Sequence, residues 1–177
     1  MKENIMEMEK YASENNVPII EKDSIAFIMK YIKKNNIKNV LEIGSAIGYS
    51  TILMASSNQD TIVTTIERDE TRYMECLKNV KKCGMEKKIN VVYQDALELN
   101  LSEDLRYDLI FIDAAKGQYI KFFEKYKNFL NPNGTIITDN INFHGYVGQS
   151  SKLDKGNLKS LVEKIEKYCI IDMEYFI

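Results

Sequence analysis

Residues 39–50 read NVLEIGSAIGYS, and the fold turns on how this stretch is parsed. Asn39–Ile43 is a short apolar run of the kind that forms a buried strand, and Gly44 ends it. Helical periodicity starts at Tyr49 and runs to Ser56. The two glycines between them allow a tight turn and a close approach of main chain to a ligand. The spacing E-x-G-x-x-x-G is neither G-x-G-x-x-G nor the phosphate loop that ends in Gly-Lys-Ser/Thr. The turn therefore suits a ligand without a pyrophosphate.

Reading outward extends the strand-turn-helix pattern in both directions. Residues 3–15 and 21–35 are predicted helices, broken at Val17-Pro18 because proline cannot continue a helix. Asp23 and Ser24 are candidate caps or first-turn residues. Beyond the glycine turn, Thr61–Glu67 is rich in β-branched residues, and 69–83 is an amphipathic helix closed by Gly84. Ile89–Tyr93 and Tyr107–Ile112 are further strands. A helix is predicted from Gln118 to Leu130, then a turn at Asn131-Pro132-Asn133-Gly134, a strand at Thr135–Thr138 and a possible final strand in 169–177. Strands separated by helices imply βαβ crossovers and a parallel sheet covered on both faces. The expectation is one doubly wound, mostly parallel α/β domain over 1–177, Rossmann-like. It has N-terminal helices (1–36), a core (37–140) and a C-terminal segment (141–177).

Composition narrows the class. The chain has 177 residues, 24 basic and 26 acidic, with a net charge of −2, so no overall basic excess marks a nucleic-acid binder. Lysines gather locally at 81, 82, 87 and 88 and again over 152–167, a pattern that usually means solvated faces. No apolar run reaches membrane-span length, and the polar start MKENIMEMEKYASENN does not read as a signal peptide. Cys76, Cys83, Cys169 and the single His144 cannot build a typical structural zinc site. A reducing cytoplasm fits this cysteine usage.

In doubly wound sheets ligands bind beyond the carboxyl ends of the strands, so the residues just after each strand are the candidates for chemistry. Glu67 lies about 20 residues past the glycine turn, where an acidic side chain can accept ribose hydroxyls; it could equally be a carboxylate favoured by the next helix's dipole. Asp69 suits that helix start better. Gln94-Asp95-Ala96 offers a polar group and a small residue that can edge an adenine ring. Asp113 ends one apolar strand and Asp139-Asn140 end the next. If those strands are neighbours, three hard oxygen ligands converge, a set that suits Mg²⁺ and not zinc. The bland alternative makes 139–140 a turn and Asp113 a helix cap. Lys116 is a candidate general base if a nearby cation and partial burial depress its pKa, or else a surface lysine. His144 is a candidate substrate contact.

Together these segments resemble the metal-dependent class I O-methyltransferases, the group that includes catechol and caffeoyl-CoA O-methyltransferases. The phrases that carry the likeness are VLEIGSAIGYST (40–51), TIERD (65–69), YDLIFIDAAKGQY (107–119) and NGTIITDNINFHG (133–145). The nearest likeness is to bacterial tRNA 5-hydroxyuridine methyltransferases, through EKYASENNVPII (9–20), IDAAKGQY (112–119) and DNINFHGYV (139–147). The resemblance implies that Asp113, Asp139 and Asn140 hold a divalent cation, Mg²⁺ or Mn²⁺. It places Glu67 at the ribose of S-adenosylmethionine, and Glu42, Gly44 and Ser50 at its methionine part. Ala96 and Asp95 would flank the adenine, Ile20 would cover the cofactor, and Asp113 would touch it. Lys116 matches the family's base. A homodimer and a tRNA substrate follow from the same likeness, with a small catechol-like molecule as alternative acceptor. The family also carries more N-terminal helix and a C-terminal antiparallel strand pair with a Gly-Asp-Gly-Leu segment, which this sequence lacks. That difference leaves a truncated, non-catalytic cofactor-binding module as a competing expectation.

Overall fold

The computed structural model describes residues 1–114 and 118–138, together with the backbone of 170–172. Two helices lead, α1 (Lys2–Glu14) and α2 (Lys22–Lys34). The alternating part follows as β1 (Asn39–Ile43), α3 (Tyr49–Ala55), β2 (Ile62–Glu67), α4 (Glu70–Lys82), β3 (Ile89–Tyr93), β4 (Tyr107–Ile112), α5 (Tyr119–Tyr126) and β5 (Leu130–Thr138). A short β6 spans Ile170–Asp172. The sheet order is β3-β2-β1-β4-β5-β6, and every pairing is parallel. The order reverses direction between β1 and β4, the switch point at which such sheets open a crevice. This is the α/β architecture that the strand-helix alternation predicts.

Side chains alternate across the strands and so divide the core in two. Val40, Leu109, Phe111 and Ile137 pack with apolar residues of α1, α2, α3 and α4. Leu41, Ile43, Ile110, Ile112 and Ile136 pack on the opposite face with Tyr119, Phe122, Phe123 and Tyr126 of α5. Glu42 therefore projects to the same face as Val40, under α2 and α3.

Two boundaries differ from the sequence expectation. The helix predicted to reach Leu130 ends at Tyr126 and tightens into a 3₁₀ turn at Lys127–Phe129. The turn at 131–134 lies inside β5 as an irregularity: Tyr107 pairs with Leu130, but Leu109 pairs with Thr135. Asn133 there has φ +65°, a left-handed conformation asparagine tolerates better than most residues. At the start of α2 the capping position is Glu21, with no side-chain cap, and Asp23 lies in the first turn. At α4 the cap is Asp69, whose carboxylate accepts from the Arg72 N–H at 2.9 Å; this is the helix-start role the sequence favours for it.

The basic run at 81–88 is partly structural. Lys82 pairs with Glu7 of α1. The Lys88 ammonium donates to the carbonyls of Asn58 (2.7 Å) and Ala55, closing the end of α3. No helix among the described residues is long and apolar enough to cross a membrane.

Candidate functional site

The glycine turn after β1 is shaped by contacts on both sides. Gly44 has φ +97°, and a Cβ there would lie 2.1 Å from the carbonyl oxygen of Asp113. Only glycine lets the ends of β1 and β4 come this close. Gly48 has φ +85°, and a Cβ there would meet the Cys76 sulfur at 2.8 Å. Ala46, between them, also has positive φ, at 44°.

Glu67 holds that strained turn. Its Oε2 accepts from the Ala46 N–H at 2.9 Å, and its Oε1 accepts from the N–H groups of Arg68 and Asp69 at 2.9 Å each. Three main-chain donors thus fix a carboxylate that is only 7% exposed. Carboxylate oxygens carry about four acceptor sites between them, so capacity for one hydroxyl of a ligand remains. Glu67 is thus an acceptor for the start of the next helix, and it also lines the cavity.

A cavity of about 430 Å³ opens over the carboxyl ends of the strands. Its floor is Ile43, Gly44, Ala46, Ile66 and Glu67, one side is Gln94, Asp95 and Ala96, and another is Asp113, Ala114, Gln118, Tyr119 and Phe122. Pro18, Ile19 and Ile20, from the connection between α1 and α2, cover it. Six of the predicted cofactor residues, Ile20, Gly44, Glu67, Asp95, Ala96 and Asp113, are brought together in its wall. The volume falls within the usual range for small-molecule sites.

Glu42 and Ser50 stand behind that wall. Glu42 is fully buried; it accepts from the hydroxyls of Ser50 (2.5 Å), Thr65 (2.6 Å) and Thr51. Burial pushes its pKa up, against three hydroxyl donors that pull it down. This cluster joins β1, β2 and the first turn of α3 beneath the glycine turn. It shapes the floor without lining the cavity.

The cavity also contains residues that sequence reading did not select. Arg68 and Arg72 line its edge, and Arg68 Nη1 pairs with Asp95 Oδ2 at 3.1 Å. Asp95 additionally accepts the Leu97 N–H at 2.8 Å. That main-chain donor, then the Arg68 guanidinium, hold its carboxyl below the ordinary value. From α5, the Tyr126 hydroxyl donates to the Ala96 carbonyl and the Lys125 ammonium to that of Leu97, each at 2.5 Å. The 94–97 turn is thus fixed from three directions. The sequence signal for Arg68 was its position directly after the acidic end of β2.

Of the predicted metal ligands, Asp113 lies at the end of β4 in the cavity wall; Asp139 and Asn140 lie outside the described residues, as do Lys116 and His144. Ile112 pairs with Thr138, so β4 and β5 are neighbours in register. The Thr138 hydroxyl is buried, with no hydrogen-bond partner among the described residues. Among the described residues no group of three or more His, Cys, Asp and Glu gathers to hold a metal.

A parallel sheet reversing at β1/β4, a glycine turn braced by an acidic residue at the end of β2, and a cavity across both define a doubly wound α/β domain with a ligand-sized cavity at its switch point. The chain belongs to the O-methyltransferase family, whose model it matches over residues 2–173. It is 32% identical over 161 residues to tapetum-specific methyltransferase 1 of Arabidopsis thaliana, covering 88% of this chain and 68% of that protein. Against a caffeoyl-CoA O-methyltransferase of Stellaria longipes it is 32% identical over 130 residues, covering 70% of this chain and 53% of the relative. Among solved structures, a Staphylococcus aureus protein provisionally designated a caffeoyl-CoA O-methyltransferase superposes with a TM-score of 0.75 at 40% identity. That match covers 93% of this chain and 79% of the other. The chain thus spans between about half and two thirds of the length of these two plant relatives.

Proposed function

We propose that this chain is an S-adenosylmethionine-dependent O-methyltransferase that uses a divalent cation and a lysine base to methylate a hydroxyl lying beside a second oxygen. The observation that carries the reading is the cavity itself. It joins the Gly44 turn, the Glu67 carboxylate and the Asp95-Ala96 turn under one apolar cover, in a chain of the O-methyltransferase family. The methionine part of the cofactor belongs at Gly44, its ribose at Glu67 and its adenine beside Ala96 and the Arg68–Asp95 pair.

The donor set fits a hard cation. Asp113 stands at the end of β4, and the adjoining β5 ends at Thr138, directly before Asp139 and Asn140 in the sequence. Carboxylate and amide oxygens of this kind suit Mg²⁺ or Mn²⁺, and Asp113, Asp139 and Asn140 would hold it. Such a cation, when bound, would lower the pKa of a chelated hydroxyl, and S-adenosylmethionine would supply the methyl, its S–C bond breaking as the O–C bond forms and S-adenosylhomocysteine leaving. Lys116 would take the acceptor's proton. Pro18, Ile19 and Ile20 keep water from the reacting centre, and the buried Glu67 network fixes the floor before any ligand arrives.

For the acceptor, a small catechol-type molecule is favoured. Caffeoyl-CoA and flavonoid methyltransferases stand among the relatives. Of the lysines at 81–88, Lys82 and Lys88 have internal partners. The second reading, a 5-hydroxyuridine at the wobble position of tRNA, rests on the sequence phrases at 9–20 and 139–147; both acceptors present adjacent oxygens. A dimer and a cytoplasmic setting accompany either.

The test is methyl transfer from labelled S-adenosylmethionine with Mg²⁺, offered a catechol panel and hydroxyuridine-containing tRNA in parallel. We expect turnover of a catechol, loss of turnover on chelation, and loss of turnover in D139A with cofactor affinity largely kept. Unchanged turnover in D139A refutes the ligand assignment. Cofactor binding with no transfer to either acceptor under any metal returns the chain to the non-catalytic binding module.

A further inference from the structure

The cover of the cavity is held to the body by packing: Ile20 is buried in the core, and Val17 and Ile19 pack against it. Among the described residues no hydrogen bond joins Pro18, Ile19 or Ile20 to the sheet or to the glycine turn. The segment is suspended between the end of α1, where the Val17 N–H reaches back to the Ala12 carbonyl at 2.9 Å, and the extended Glu21 that starts α2. Beyond that packing, the polar contacts that fix its height act on the two helices.

One carboxylate acts on both. Glu9, on α1, accepts from the Lys22 ammonium at 2.7 Å through Oε2 and from the Tyr49 hydroxyl at 2.9 Å through Oε1. Lys22 is the first residue of α2, so the Glu9–Lys22 pair spans the covering segment from one end to the other. Tyr49 is the first residue of α3, directly after Gly48, and is only 3% exposed. The Tyr49–Glu9 bond therefore ties the cover to the turn that forms the cavity floor.

We propose that Glu9, Tyr49 and Lys22 are positioning residues that hold Pro18–Ile20 over the bound cofactor and set how long it stays. This rests on the reading of the cavity as an S-adenosylmethionine site. The two links differ in strength. Lys22 is largely exposed, and exposed ion pairs contribute little. The hydroxyl of a buried tyrosine donating to a carboxylate is a charge-assisted bond partly shielded from water, which is the stronger kind. Tyr49 is the main link and Lys22 the brace.

The measurement is the dissociation rate of S-adenosylhomocysteine from full-length protein by surface plasmon resonance, for wild type, Y49F, E9A, E9Q, K22M and the double variant E9A/Y49F. K82M is the control, since Lys82–Glu7 also ties α1 to the body but away from the cover. Loss of one hydrogen bond to a charged group corresponds to roughly tenfold. We expect Y49F and E9A to release ligand about tenfold faster with association little changed, and the double variant to release no faster than the singles. E9Q, which keeps an acceptor for Tyr49, should fall between wild type and E9A, and K22M should have a smaller effect. K82M should leave release within about twofold of wild type.

Wild-type release from Y49F and E9A overturns the proposal, as does acceleration by K82M equal to that of Y49F. If wild type binds no S-adenosylhomocysteine, the cofactor reading fails on its own account. The clamp is then read from amide hydrogen exchange at Ile19 and Ile20. Faster exchange in Y49F than in wild type supports it, and equal exchange overturns it.

Discussion

Ala46 and Glu67, 21 residues apart, are joined by a 2.9 Å hydrogen bond from main-chain N–H to carboxylate, and that bond keeps a non-glycine residue at positive φ. The carboxylate's other oxygen gathers the first two N–H groups after β2. Floor and wall of the cavity are therefore one hydrogen-bonded unit, rigid before a ligand enters.

Removing that carboxylate should act twice. In E67A three part-buried main-chain donors lose their acceptor, which should lower stability, and the proposed partner of the cofactor's ribose is removed. Calorimetric titration with S-adenosylhomocysteine should show at least tenfold weaker binding. E67Q, which keeps acceptor capacity on one oxygen, should lie between E67A and wild type. Wild-type affinity in E67A would remove Glu67 from the site.

Glycines at two turns should respond differently to alanine. G44A places a Cβ against the Asp113 carbonyl at a strained φ and should cost roughly 3 kcal/mol or more. At Gly84, φ is +66° and nothing stands within 4 Å of a Cβ, so G84A should cost only about 1 kcal/mol. Denaturant unfolding of both variants checks the contrast; equal costs would mean that backbone conformation alone, and not the β1–β4 approach, selects glycine at 44.

The buried Glu42 should leave a mark on stability against pH. Burial raises its folded pKa above the unfolded value, so the native state binds the proton more tightly. Its contribution is full below the ordinary carboxylate range and is lost as pH rises through the folded pKa. E42Q removes the titration, and its stability should fall less than that of wild type over that rise. Parallel wild-type and E42Q profiles from thermal melts at several pH values would show that Glu42 does not titrate there.

Tyr49 should ionise late. Burial, with the hydrogen bond to Glu9, moves its pKa up to about 12 from 10. Neutral Tyr49 therefore supports the fold fully below pH 10, and that support is lost as pH rises to about 12. The difference between wild-type and Y49F ultraviolet titrations should show one phenol ionising near 12; a difference curve centred near 10 would mean an exposed Tyr49.

Strand-helix alternation, the glycine turn and the acidic ends of β2 and β4 were legible in the sequence because they follow from local chemistry. Apolar runs make strands, glycine permits positive φ, and a parallel sheet gathers strand ends. The same local rules placed Glu67, Asp95, Ala96 and Asp113 at one edge. They could not separate Glu42 from its neighbours Ile43 and Gly44, since facing the cavity or the core depends on the pleat and on which helix covers each face. Nor could they extract Lys82 and Lys88 from a run of lysines, or end α5 at Tyr126 when the β5 irregularity sets the boundary.

Sequence by itself determined the order of the elements, the parallel sheet and the family, because these rest on periodicity and short motifs. Only the tertiary structure decided that Glu67 braces the turn while Glu42 lies behind it, that Arg68 meets Asp95, and that Glu9 joins Lys22 to Tyr49. Those relationships pair residues separated by 13 to 40 positions. Contacts over such separations exist only once the chain has packed, and no local pattern encodes them.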